Sequence, residues 1–481
     1  VYEGNETIQI QAAVPGRQGF VQSAEAIITD EADRPAWQIS NATTTEGDFL
    51  VWDISVHTAT KDNSWTKIEF ANGTGTIGTD TAGATNFQAS YDGGVTWGAT
   101  KYYGNQLIVP KGTTSFKVRL ATKDDSVYEG NETITIKVTE SGGGRDPGVV
   151  FGTTTSTATI TDAADIPKVA SITAFQNAAE DGWVGWNLNM TNTSTTNSTV
   201  QLNFNDGIHQ ADFGADYNGK VHVYTQSGTF LKEVVLNASN GYKANITIPA
   251  GQTGVKIYAD TLNDNVYEGN ETIKIQGAVI GQQGWVQSAA AVITDNADIP
   301  KVASITHLQN AAEAGWVGWN LNMTNTSTTN STVQLNFNDG LHEADFGADY
   351  NGKVHVYSTS GAFLQEVVLN ASNGYKANIT VPAGHSGVKI YAQTLNDNIY
   401  EGNETIKIQG AVIGQQGWVQ SANAVITDDE APTIVTSVTK LRDGVEGSTT
   451  PGWTVNFNNP ADEATTVRLN FNDSYHQAKF G

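Results

Sequence analysis

The sequence predicts an all-β chain built from tandem antiparallel β-sandwiches, and three observations carry that expectation. Apolar and polar residues alternate with period two over short runs, and no stretch shows the 3.6-residue period of an amphipathic helix. The composition leans towards Asn, Thr, Gly, Ser and Val, which suit strands and turns. The string Tyr-Glu-Gly-Asn-Glu-Thr starts at Tyr2, Tyr128, Tyr267 and Tyr400, so the chain is internally repetitive.

The repeats divide the chain. Residues 166–298 and 299–431 align without a gap and differ at 18 of 133 positions. Residues 34–165 form a more divergent copy. Residues 1–33 match the last third of a copy, and 432–481 match the first third of one. The expected organisation is therefore three whole units between two fragments. A unit of about 130 residues is long enough to bury its own core.

Within a unit the strands follow from alternation. Val200, Leu202 and Phe204 face one way, while Gln201 and Asn203 face the other. Ala244/Ile246/Ile248, Val255/Ile257/Ala259 and Ile273/Ile275 read the same way. Gly, Asn and Pro separate these runs, which suits two packed antiparallel sheets. Linkers are nearly absent: Asp33-Arg34-Pro35, Asp165-Ile166-Pro167 and Asp298-Ile299-Pro300 join one unit directly to the next. Proline restricts itself and its predecessor, so stiff junctions and an elongated rod are expected.

The charge balance narrows the function. With 50 acidic and 26 basic residues the net charge is −24, which disfavours nucleic acid and anionic membranes and offers many carboxylates to divalent cations. The absence of cysteine excludes disulfides and thiol chemistry. No apolar run is long enough to span a bilayer. Val1–Ile8 read as the middle of a strand and not as a leader, so both ends are expected to be cuts within a longer protein.

Each whole unit places acids at the same five stations. The second unit has Glu180, Asp216, Asp264, Glu268 and Asp295. The third has Glu313, Asp349, Asp397, Glu401 and Asp428, with Asp429 beside the last. The first has Glu46, Asp80, Asp125, Glu129 and Asp162, with Asp124 added. Asp also favours turns, so one such residue alone does not separate a ligand from a solvated turn.

A glutamate after the first strand is followed by Gly-x-Asp-Tyr, Asp-x-x-Tyr-Glu-Gly-Asn-Glu-Thr and a closing Ile-Thr-Asp. This order resembles the Calx-beta module of sodium–calcium exchangers and giant bacterial adhesins. The resemblance implies an immunoglobulin-like sandwich whose stations meet at one end and bind Ca2+ through the acids named above. Crowded carboxylates repel one another without a cation, and calcium accepts six to eight oxygen ligands. The paired Asp of richer family members survives only at Asp124-Asp125, being Asn263-Asp264 and Asn396-Asp397 elsewhere. Fewer and weaker sites than in the exchanger modules are expected. The implied role is a calcium-rigidified, extracellular, cell-surface structural region, such as an adhesin stalk or a filament subunit. Its partners would be neighbouring repeats and further copies of itself.

Other features point away from catalysis. His209, His222, His342, His355 and His476 lack zinc-ligand spacing. Acids that recur in every unit suit scaffolding better than a paired-carboxylate active site. Ser90–Trp97 resembles the Asp-box hairpin and is expected to be structural. Trp183/Trp186 recur as Trp316/Trp319; residues three apart on a strand face opposite sides, so one of each pair belongs to the core. The other member, with Trp285 and Trp418, leaves surface glycans as the alternative partner.

Overall fold

The computed structural model describes residues 5–17, 19–29, 36–57, 59, 63–98, 101–102, 105–140, 153–204, 206–281, 284–337, 340, 343–414, 417–461 and 463–471. Tyr2, the 33–35 junction, His342 and His476 lie outside them. Among the described residues the only helical turns are short 3-10 segments such as Ala238–Asn240, and the rest of the regular structure is strand. The all-β reading holds.

In residues 169–294 one sheet has five strands, ordered Val169–Gln176, Trp183–Met190, Gly254–Thr261, Tyr217–Thr225 and Phe230–Val235. The facing layer is split. One part pairs Lys243–Ile248, Ser198–Asn203, Gln276–Val279 and Val286–Gln287; the other pairs Ala178–Ala179, Ala291–Thr294 and Glu271–Ile273. The break falls where Ser288 enters the ladder. Its hydroxyl accepts from the Ile275 N–H at 2.9 Å, and its own N–H donates to the Ile275 carbonyl at 2.8 Å. Residues 302–427 repeat this arrangement strand for strand. The divergent copy pairs a six-stranded sheet around Ser64–Asn72 and Glu132–Glu140 with a four-stranded one around Phe49–Val56 and Ser115–Ala121.

The alternation seen in the sequence fills the space between layers. Val200, Leu202 and Phe204 meet Val184, Trp186, Leu188, Val255, Ile257 and Ala259, all fully buried. Trp186 satisfies its indole N–H by donating to the Ala289 carbonyl at 3.2 Å, as a buried Trp must. Separate cores of the same kind lie in residues 302–426 and 37–160. Gly219 shows how tightly the layers close. Its φ is +75°, and a Cβ there would sit 2.1 Å from the Leu236 carbonyl oxygen.

The end segments use the same strands without the same cover. Ile8 and Ile10 correspond to Ile273 and Ile275, which are fully buried, yet they are 52% and 70% exposed. Ser90–Trp97 is a closed hairpin. The Ser90 hydroxyl donates to Asp92 at 2.7 Å, Thr96 donates N–H to the same carboxylate at 2.9 Å, and the Trp97 indole donates back to the Gly94 carbonyl at 2.9 Å.

Candidate metal centre

Strand pairing alone assembles the acidic stations. Ala178 and Ala179 run parallel to Ile293 and Thr294, so the next residue on each strand, Glu180 and Asp295, leaves the sheet side by side. The same parallel pairing of Ala42–Thr45 with Ala158–Thr161 delivers Glu46 beside Asp162. Ala311–Ala312 beside Ile426–Thr427 delivers Glu313 beside Asp428. The Tyr-Glu-Gly-Asn-Glu loop enters through Glu271, which pairs antiparallel with Ile293. Asp295 then fixes that loop, accepting from the N–H groups of Glu268 at 2.6 Å and Gly269 at 3.1 Å. Asp216 arrives because Tyr217 pairs with Thr261, and its carbonyl accepts from the Leu262 N–H at 2.8 Å.

Among the described residues the first and second units each gather two close groups of acids, and the third gathers at least one. Carboxylate oxygens of Glu180, Asp295 and Asp298 lie within 4.8 Å of one another, as do those of Asp216, Glu268 and Glu271. The first unit gathers Glu46 with Asp162 and Asp165, and Glu46 with Glu129 and Glu132. The third gathers Glu313, Asp428 and Glu430. Its Glu404 also shares a side-chain hydrogen bond with Asp349, in which the protonated Glu404 donates, and lies in the field of Glu401. Several oxygens here are buried and without a hydrogen-bond partner: Glu46 Oε2, Asp162 Oδ1, Glu180 Oε2, Asp295 Oδ1, Asp298 Oδ2 and Glu313 Oε2. A buried, unsatisfied carboxylate oxygen is costly, and several facing one another are costlier. A hard divalent cation that takes oxygen ligands relieves both costs, so these residues fit calcium.

The electrostatics agree. Burial, then the neighbouring Asp295 and Asp298, pushes Glu180 up to about 8. Burial and Asp216 push Glu271 up to about 8, and burial with Asp349 does the same to Glu404. Burial and surrounding acids raise Glu46, Glu132, Glu268 and Glu313 to about 7. Asp428 moves the other way. Burial pushes it up, but the N–H groups of Gly402, Glu401 and Glu430 outweigh burial and hold it below the usual range.

Not every acid picked from the sequence sits in contact. Asp264, Asp397 and Asp125 each spend one oxygen on their own turn, accepting from Val266 N–H at 2.9 Å, Ile399 N–H at 2.7 Å and Val127 N–H at 2.7 Å. Asp264 acts on Glu180 and Glu268 and Asp125 on Glu46 through charge, whereas the Asp397 N–H donates to Glu313. Asp80 contacts Glu132, whereas Asp124 lies against Gly47 and acts on Asp165. Asp429 is exposed, and Glu430 takes the inward position beside Asp428. Six acids that the sequence reading passed over belong to the groups: Glu132, Glu271 and Glu404, and Asp165, Asp298 and Glu430. The first three end the repeated Tyr-Glu-Gly-Asn-Glu string, and that repetition was the available signal.

The clusters also touch the next repeat. Asn192 donates to the Asp165 carboxylate at 2.6 Å, and Asn325 donates likewise to Asp298. Beside these contacts, Val127–Tyr128 pairs in parallel with Thr193–Ser194, and Val266–Tyr267 with Thr326–Ser327.

Residues 88–164 match the Calx-beta domain family, a span that includes Asp124, Asp125, Glu129, Glu132 and Asp162. The resemblance read from the motifs holds there. Among solved structures, the chain is similar to a crystal structure of CBD12 from CALX1.2, at 14% identity and a TM-score of 0.20, covering 52% of this chain and 82% of that one. The D0-D1 domain of Intimin follows at 11% identity and 0.17, covering 54% and 99%. A marsupial T cell receptor gives 9% and 0.23, covering 80% and 98%. No curated protein matches the chain.

Proposed function

We propose that this chain is a calcium-binding, calcium-stiffened structural region of a large secreted bacterial surface protein, an adhesin stalk or a filament or sheath subunit, without enzymatic activity. One observation carries the reading. Asp165 and Asp298 each belong to an acidic group and accept a hydrogen bond from an asparagine of the next repeat. A cation held there would close its own loops and fix the junction in one event.

Glu180, Asp295 and Asp298 would hold calcium at one place, and Asp216, Glu268 and Glu271 at the other. When bound, the ion would supply charge neutralisation and oxygen coordination. The chain's own residues position the oxygens. The parallel pair Ala178–Ala179 with Ile293–Thr294 sets Glu180 against Asp295, and two backbone N–H groups orient Asp295. The same acids in every unit serve scaffolding better than turnover. An extracellular setting fits because calcium modules there bind at roughly 10⁻⁴ to 10⁻³ M. Stiff, near-identical repeats would extend the molecule as a rod and could pack against further copies of it.

The test is thermal unfolding of the chain in chelator, in calcium and in magnesium. At a free calcium about 100 times the dissociation constant, binding adds about 2.7 kcal/mol per site, a rise of roughly 10 °C for units of this size. A melting curve that calcium leaves unchanged would sink the reading.

A further inference from the structure

We infer that the outer face of the five-stranded sheet in residues 302–394 carries a saccharide site, a cleft that takes the ring of a neutral hexopyranose. The cleft holds about 550 Å³ and is lined by Gln309, Trp316, His355, Tyr357, Lys389 and Tyr391, none of which belongs to the acidic groups. That volume and mixture of aromatic rings with a few polar ends is what a small-molecule site has.

The rings are held in place by one another. Trp316 stacks on His355 with centroids 4.2 Å apart, and His355 is fixed in turn by Glu366 at 2.8 Å. Tyr357 and Tyr391 meet edge to face at 5.5 Å and 89°. Partly exposed indole and phenol faces of this kind match the C–H face of a pyranose, while its hydroxyls need donors and acceptors at the rim. Gln309 is oriented by donating to the Trp316 carbonyl at 2.7 Å, which leaves its amide oxygen as an acceptor. The Lys389 ammonium and the Tyr357 and Tyr391 hydroxyls make no hydrogen bond among the described residues. A net charge of −24 disfavours anionic saccharides, so the class is neutral.

The preceding repeat differs beside the same tyrosine and lysine. Phe175 stands there in place of Leu308. Its ring packs edge to face on Tyr258 at 5.4 Å, lies 2.8 Å from where a Gly185 Cβ would be, and has the Lys256 ammonium over it at 6.0 Å. The third unit keeps the tyrosine and lysine as Tyr391 and Lys389, both lining the cleft, and carries the smaller Leu308 in place of the phenyl ring. Phe175 against Leu308 is thus one difference between the two repeats that bears directly on the Tyr258/Tyr391 and Lys256/Lys389 positions.

The experiment is isothermal titration of the whole chain, in saturating calcium, with cellohexaose, laminarihexaose and chitohexaose. Binding of at least one is expected, weakened at least tenfold by Trp316→Ala and by Leu308→Phe. The second variant introduces the ring the preceding repeat already accommodates, so its melting temperature should stay at the parent value. No binding of any of the three probes, or an isotherm that Leu308→Phe leaves unchanged, would overturn the proposal.

Discussion

Calcium binding should expel protons, because burial and crowding hold several acids of the clusters partly protonated near neutral pH. Four glutamates, Glu46, Glu132, Glu268 and Glu313, are raised to about 7, and three more, Glu180, Glu271 and Glu404, to about 8. At pH 7 these glutamates therefore keep part of their protons in a metal-free chain. Calcium needs these groups as carboxylates, and saturation should release protons at pH 7 and almost none at pH 9.5. The assay is calorimetric titration with calcium in buffers of different ionisation enthalpy, where the slope of apparent heat against that enthalpy counts protons. The sign for stability follows from the same groups. Their folded values lie above the ordinary 4.5, so the stability they contribute is full below about pH 4.5 and is lost as pH rises through 7 to 8. In chelator the chain should melt lower at pH 8.5 than at pH 5.5, and calcium should remove that difference. Release of no protons at pH 7 would refute the reasoning, because the acids would then already be ionised and solvated.

Glu180→Gln removes one buried charge, so the metal-free melting temperature at pH 8.5 should rise by a few degrees while the increment given by calcium shrinks. Circular dichroism melts with and without chelator read both signs. Asn325→Ala removes the donor to Asp298 and should leave the unit cores intact, yet speed proteolysis at 299–301 several-fold in calcium. Trp186→Ala should cost about 3–5 kcal/mol, since the ring is fully buried, whereas Trp183→Ala, at 42% exposure, should cost under about 1 kcal/mol; urea unfolding distinguishes them.

Much of the fold was legible because period-two alternation is a local signal. Val200, Leu202 and Phe204 were readable as one face, and they are buried as one face. The opposed fates of Trp183 and Trp186 follow from the same geometry. The site was legible in part. Glu180 and Asp295 stand at the ends of strands, where a change from apolar to acidic residues marks the exit from a sheet. Glu271 was missed because it opens a strand, and a strand's first residue does not look like a loop ligand. Asp298 was missed for another reason. It precedes Ile299-Pro300 and reads as part of a joint, and only the meeting of Ala178–Ala179 with Ile293–Thr294 shows that the joint lies against Glu180. That pairing spans more than a hundred residues, and no local pattern encodes it.

The third unit argues that the cluster and the junction are separable. Where the second unit ends Asp295-Asn296-Ala297-Asp298, the third ends Asp428-Asp429-Glu430-Ala431. Glu430 restores the third carboxylate beside Glu313 and Asp428, so the acidic group survives the change. The contact to the following segment does not survive in the same form. There Asn459 donates to the Ala431 carbonyl, a backbone group whose charge no cation alters, in place of the side-chain carboxylate that Asn325 meets at Asp298. The Tyr400 N–H still reaches the Pro460 carbonyl at 3.1 Å, so the segments remain joined. Under the calcium reading, an ion at Glu180, Asp295 and Asp298 would act directly on the group that grips the next repeat. An ion at Glu313, Asp428 and Glu430 would act only on the loops of its own unit. Two sites with the same number of acids would therefore differ in how much stiffness they transmit. The difference traces to one position, where Asp298 is replaced by Ala431.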